Sequence, residues 1–158
     1  MSNTLKCPLY ASEADVSRVL AISGVELHGF LNFLIRCAFT GKHYTIFGYK
    51  GKQARSQIHS EDVVKVFESF IKSPKSDEVY NLDGGKKNTA SVVECIHLFE
   101  EVSGKKLNYT LSTENRIGDH ICYYSDLYKI KSDFPECDIS INLKEIIKQI
   151  NDAQIGNK

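Results

Sequence analysis

The residue types best suited to gripping an anion lie close together at positions 44–58, which read Tyr-Thr-Ile-Phe-Gly-Tyr-Lys-Gly-Lys-Gln-Ala-Arg-Ser-Gln-Ile. Lys50, Lys52 and Arg55 bring three positive charges into one short loop, and a guanidinium can hold a phosphate through two parallel N–H bonds. Gly48 and Gly51 allow positive φ and close approach of a ligand to the backbone. The chemistry on offer is a cradle for a diphosphate. A solvated basic loop is the competing account of the same residues.

A second cation-bearing loop surrounds Arg116, with Asp119 three residues on. A loop-stabilising ion pair is the alternative role for these two. Gln53 and Asn88 are polar residues for which surface hydrogen bonding competes with ligand contact. The five cysteines (Cys7, Cys37, Cys95, Cys122, Cys137) include no two-residue spacing, and the histidines are scattered. A structural metal site is therefore not expected, and the thiols read as buried and reduced.

Positioning these side chains requires a folded scaffold, and the bulk properties supply one. A chain of 158 residues with 42% hydrophobic and 25% charged residues suits one packed domain. The formal charge is zero, without a basic stripe, which disfavours nucleic acid. No apolar run reaches the ~20 residues of a membrane span. The opening Met-Ser-Asn-Thr-Leu-Lys lacks an apolar signal core and points to the cytoplasm.

Periodicity and capping residues give the expected elements. A short helix over 12–22 is weakly marked. An apolar helix over 30–39 stops near Gly41, and a strand covers 44–47. A helix follows with Ser60 as its cap, Glu61 and Asp62 in its first turn, and Val63, Val64, Phe67, Phe70 and Ile71 as its core-facing stripe. Residues 78–82 read as a strand ending in the tight turn of Gly84 and Gly85. A helix over 90–103 ends at Gly104, a strand covers 107–111, and an extended piece at 121–124 leads to a brief helix that Pro135 breaks. A terminal helix covers 141–150, and 152–158 is expected to fray.

The ordered series His28-Gly-Phe-Leu, Tyr44 through Gln53, Ile58-His-Ser-Glu-Asp-Val-Val, Val79-Tyr-Asn-Leu with Gly84-Gly85, Asn88-Thr-Ala-Ser, Arg116-Ile-Gly-Asp-His and Tyr124-Ser-Asp resembles the C-terminal half of the NAD-dependent nucleotide-sugar epimerases and dehydratases. These form part of the extended short-chain dehydrogenase family, and the series is most similar to the branch containing CDP-paratose 2-epimerase. The resemblance implies a small mixed α/β substrate-binding domain over 23–151 that lacks the Rossmann core, with 1–22 unassigned. It implies that Arg55 binds the diphosphate of a CDP- or UDP-hexose, that Arg116 reaches the same phosphates, and that Asp119 meets a ribose or orients Arg116. Gly48, Lys52 and Gln53 complete the candidate substrate-binding set. Where that family has aspartate after the first arginine, this chain has Ser56.

Two signatures of the family are missing. No Gly-x-x-Gly-x-x-Gly turn occurs, and neither Tyr49 nor Tyr124 has a lysine four residues later. The expectation is a nucleotide-sugar-binding portion that does not bind NAD or catalyse alone. Two alternatives stand beside it. One is a subunit of a split epimerase completed by a separate NAD-binding chain. The other is a non-catalytic interaction or structural remnant, homo-oligomeric through its exposed sheet edge, because 78–82 in the family borders a larger parallel sheet.

Overall fold

The computed structural model describes residues 29–114 and 120–156; the expected helix over 12–22 lies outside them, as do Cys7, Arg116 and Asp119. In chain order the elements are α1 (Phe30–Thr40), β1 (Tyr44–Phe47), β2 (Ala54–Ser56), α2 (Ser60–Lys72), β3 (Thr89–Ser91), α3 (Val92–Ser103), β4 (Tyr109–Ser112), β5 (Cys122–Tyr123), α4 (Tyr128–Asp133) and α5 (Leu143–Gly156). A single 3-10 turn occupies Lys86–Asn88, and Tyr49–Gly51 forms a tight turn of positive φ.

The strands are short and form two small sheets. β1 and β4 pair in parallel, Tyr44 opposite Tyr109 through Phe47 opposite Ser112. β2 is the centre of the other sheet, antiparallel to β3 and parallel to β5. Helices α1, α3 and α5 pack around β1 in the main core, where Leu34, Ile35, Cys95, Ile96, Phe99 and Ile147 lose essentially all contact with solvent. A smaller core gathers Val66, Ile130, Phe134 and Cys137, with the rings of Phe70 and Tyr80 tilted against that of Phe134.

Local signals explain most boundaries. α1 ends at Gly41. α3 opens on a reciprocal capping box between Ser91 and Glu94, which satisfies two donors that a helix start leaves orphaned. Asn142 accepts from the Glu145 N–H at 2.9 Å and starts α5. That helix runs on through Gly156, past Ile150 and through most of the stretch expected to fray, because Ile150 and Asn151 are both buried.

Four expectations are corrected. The cap of α2 is His59, whose Nδ1 accepts from the Glu61 N–H at 3.1 Å, and not Ser60. The face that α2 buries is Asp62, Val66 and Ser69, while Val64, Phe67 and Ile71 of the expected stripe are exposed. Residues 78–82 form no strand. Tyr80 and Leu82 pack inward on the smaller core, but no neighbouring strand takes up the backbone bonds that a ladder needs. The strand expected over 107–111 is also displaced to Tyr109–Ser112.

Asp62 explains why α2 turns the way it does. Its carboxylate is fully buried and accepts from the Ser140 hydroxyl at 2.8 Å and the Ile141 N–H at 3.0 Å, tying α2 to the segment that leads into α5. Burial alone pushes this carboxyl up, but the bonds from Ile141 and Ser140 and the Lys65 charge together hold it below its ordinary range. A depressed folded-state pKa contributes stability above the unfolded value, lost as pH falls through the folded one. Asp62→Asn is therefore expected to lower stability at neutral pH by about 1–3 kcal/mol. Chemical denaturation at a series of pH values should show the gap between wild type and variant closing as the medium is acidified below the ordinary carboxylate range.

Candidate functional site

The basic loop is built by an unusual backbone. From Gly48 to Gly51 four successive residues have positive φ: 71°, 47° at Tyr49, 53° at Lys50 and 74°. For Tyr49 and Lys50 that region is disfavoured, so the surroundings must over-determine it. Gln53 supplies one constraint. It is buried, and its Nε2 donates to the Phe47 carbonyl at 2.9 Å, bridging the two ends of the loop. Gly51 supplies the other, since a Cβ there would lie 2.6 Å from Val93 Cγ2, so the loop sits directly on α3.

Arg55 lies in the middle of β2 and is half-buried, with Nη1 donating to the Ala54 carbonyl at 2.8 Å. Lys50 and Lys52 are exposed. Gly48, Lys52, Gln53 and Arg55 thus belong to one continuous turn and strand. Gln53 and Asn88, expected at the surface, are instead buried. Asn88 Nδ2 donates to the Ile141 carbonyl at 2.8 Å, and its Oδ1 accepts from the Leu143 N–H at 3.1 Å. Asn88 is a structural tie. Gln53 keeps one buried oxygen, Oε1, with no partner among the described residues, which is rare for a buried polar atom.

The topology brings the two ends of the second loop beside those of the first. Loop 48–53 joins β1 to β2, and loop 113–121 joins β4 to β5. β1 runs parallel to β4 up to the pair Phe47–Ser112, and β2 runs parallel to β5 from the pair Ala54–Cys122, with Arg55 opposite Tyr123. The Ala54 N–H also donates to the Ile121 carbonyl at 2.8 Å. The two loops therefore leave from adjacent residues and arrive at adjacent residues. Sequence spacing alone gave no sign of this double registration.

At Gly84 of the Gly84–Gly85 turn a Cβ would fall 1.9 Å from the Gln57 carbonyl oxygen. Backbone packs against backbone there. The turn is fixed by Asp83, which accepts from the Gly85 N–H and the Ser125 N–H at 2.6 Å each. Between this turn and α4 lies an open cleft of ≈ 780 Å³, reached by Lys86, Lys87, Lys131 and Tyr124. Gly48, Lys52, Gln53 and Arg55 do not line it.

A dinucleotide pyrophosphate needs a strand that runs through a glycine turn into a free helix N-terminus. Among the described residues β3 runs straight into α3 without a glycine turn, and the N–H groups of Ser91 and Glu94 there are taken by the capping box. The residues present do not fit NAD at that place. Cys37, Cys95 and Cys137 are buried and unbridged, whereas Cys122 is exposed, unlike the expected buried thiols. Burial pushes the Cys95 thiol up to about 12, leaving it an inert packing group. Among the described residues no group of three His, Cys, Asp or Glu could hold a metal, and no helix is long and apolar enough to cross a membrane.

Solved structures share this fold. UDP-glucuronic acid 4-epimerase from Bacillus cereus, in complex with UDP-glucuronic acid and NAD, superposes with a TM-score of 0.71 at 22% identity, over 81% of this chain and 40% of that one. The fold is that of part of a UDP-sugar epimerase. UDP-glucose-4-epimerase from Stenotrophomonas maltophila gives 0.71 at 19% identity, over 80% and 39%. UDP-glucose 4-epimerase from Thermotoga maritima, with UDP-glucose, gives 0.68 at 23%, over 82% and 40%. The chain spans about two-fifths of the length of these epimerases. No family model and no curated relative matches the sequence.

The contact at Gly51 yields a test of the loop's construction. Gly51→Ala adds a methyl against Val93 at a position of φ 74°, and is expected to destabilise the fold by about 1–3 kcal/mol. Pairing it with Val93→Ala, which vacates the clashing atom, should recover part of that loss in urea denaturation; no recovery would show that the backbone conformation, not the contact, sets the cost.

Proposed function

We propose that this chain is the nucleotide-sugar-binding portion of an NAD-dependent epimerase or dehydratase, binding a CDP- or UDP-hexose without catalysing alone. The observation that carries this reading is the double registration of loops 48–53 and 113–121. It sets the strand of Arg55 against the far end of the loop that holds Arg116 and Asp119. Two guanidinium groups entering from neighbouring loops suit a diphosphate, which offers oxygens to both. The positive φ values at Tyr49 and Lys50 are the kind of local strain that accompanies ligand-binding turns. The unpartnered Oε1 of Gln53 suits a hydroxyl or amino donor from a sugar or base. Lys52 adds positive potential at the rim, and Gly48 lets the backbone come close. Lys86, Lys87 and Lys131, in the cleft apart from this loop, take no part.

In the full-length proteins of this fold NAD is the redox group, and hydride transfer belongs to it. This chain's residues would contribute substrate grip and orientation, and NAD binding by the chain alone is expected to be absent. CDP-hexoses are included because the sequence series is most similar to the CDP-paratose 2-epimerase branch. UDP-hexoses are included because the superposed structures hold UDP-sugars. A second reading is favoured by the unpaired 78–82 segment: a separate NAD-binding chain completes the site.

Isothermal titration tests the leading reading. UDP- or CDP-hexose should give binding heat that Arg55→Ala weakens at least about tenfold, the cost of a lost charged hydrogen-bond pair, with Arg116→Ala acting alike. Equal affinity in the Arg55 variant would remove the phosphate clamp from consideration.

A further inference from the structure

Strand β5 has little to hold it. It is two residues long, both exposed, and it lies at the edge of its sheet with β2 as its neighbour. So short a pairing is marginal by itself. Yet β5 sets Tyr123 opposite Arg55, so whatever fixes β5 also fixes the flank of the strand that carries this guanidinium.

Beyond their bonds to β2, residues 120–125 make one hydrogen bond among the described residues. The Ser125 N–H donates to Asp83 Oδ2 at 2.6 Å. The other oxygen of that carboxylate accepts from the Gly85 N–H, also at 2.6 Å. Short bonds to an ionised acceptor are the strong kind. The turn on the Gly85 side is itself well seated, because the Gly85 carbonyl accepts from Thr89 Oγ1 at 2.9 Å, from the Asn88 N–H at 3.2 Å and from Ser56 Oγ at 3.3 Å. Ser56 follows Arg55 in β2. A closed circuit results. It runs from β2 to β5 through Ala54 and Ile121, from β5 to Asp83 through Ser125, and from the glycine turn back to β2 through Ser56. Arg55 lies inside the span of β2 that this circuit encloses. Only a carboxylate offers one oxygen to each N–H; asparagine there would turn its amide NH2 toward one of them.

We propose that Asp83 is a positioning residue for Arg55, pinning the C-terminal end of β5 to the glycine turn and so keeping β5 in register beside the guanidinium. Its effect on ligand affinity rests on the nucleotide-sugar reading. Its effect on β5 rests on the hydrogen bonds alone.

Amide hydrogen exchange on the full chain, followed by nuclear magnetic resonance, tests the second part. The Ala54 N–H bonds to Ile121 across the β2–β5 pairing, and the Tyr44 N–H bonds to Asn108 in the other sheet. Asp83→Ala should speed exchange at Ala54 about tenfold or more and leave Tyr44 unchanged, whereas a general loss of stability would speed both. Circular dichroism establishes that the variant is folded; should it not be, Asp83→Asn is the substitute and should move Ala54 in the same direction. Titration with UDP-hexose tests the first part. Removing a negative charge would by itself favour a diphosphate, so the expected weakening of about fivefold has the sign of lost position and not of lost charge. On an Arg55→Ala background the same change should cost less than about twofold, since the two residues act as one unit. An unchanged Ala54, equal acceleration at Ala54 and Tyr44, affinity that holds or rises, or an undiminished effect without Arg55 would each overturn the proposal. Wild type giving no heat with UDP-hexose would instead overturn the nucleotide-sugar reading, and exchange at Ala54 would still decide whether Asp83 holds β5.

Discussion

Two parallel strand pairings set the ends of loop 48–53 beside residues 112 and 122, and the placement of the candidate residues around Arg55 depends on this constraint more than on any one side chain. Parallel strands cannot be joined to each other by a tight turn. β1 and β4 come together only because the chain between them passes through α2, β3 and α3 and returns. The same holds for β2 and β5. Each pairing alone is short and weakly held. Together they clamp both loops at both ends, so a shift of register at one pairing would have to be absorbed by the other. Gln53 closes the first loop, and Gly51 seats it on α3, so the backbone of the basic turn is tied at two points.

The scaffold behind the loops is joined by buried polar ties as well as by apolar packing. Asp62 and Asn88 are far apart in sequence, yet both bond to the backbone of 141–143. Such groups are costly when unpaired and specific when paired. By fixing the entry to α5, they set how that helix lies across α3 and α1. Buried carboxylate and amide here do the work of positioning, while Phe99, Ile96 and Ile147 supply the burial that drives collapse.

Much of the scaffold was legible in the sequence because its signals are local. Gly41 and Gly104 end helices where the sequence says they should, and the strand at Tyr44–Phe47 is bounded as read. The errors share a different cause. Ser60 is a good cap by type, but His59 is extended and has its ring nitrogen in reach of the Glu61 N–H; only backbone geometry distinguishes the two. Gln53 and Asn88 are polar, so composition places them outside. Their partners are main-chain groups, six residues distant for Gln53 and more than fifty for Asn88, and a sequence pattern does not display such partners. Arg55 was legible as a cation in a glycine-rich turn. Its alignment with the loop after β4 was not, since register between distant strands leaves no periodic trace.

The misread α2 and the missing strand at 78–82 are informative for the same physical reason. Periodicity reports which residues of a segment repay removal from water; it does not say whether the same chain supplies the surface that removes them. α2 has two apolar-compatible sides, and Asp62 commits one of them inward through bonds worth more than the transfer of an additional aliphatic group. The 64–67–71 stripe is left outward as a consequence. In the same way Val79 stays exposed while Tyr80, held by its bond to Asp133 at 2.7 Å, and Leu82 turn inward. An extended segment with one face packed and its backbone edge unpaired has the geometry of a strand at the border of a sheet. The superposed epimerases carry roughly three-fifths of their length beyond the aligned part. The sequence therefore carries apolar residues on both sides of α2, and among the described residues the fold covers one.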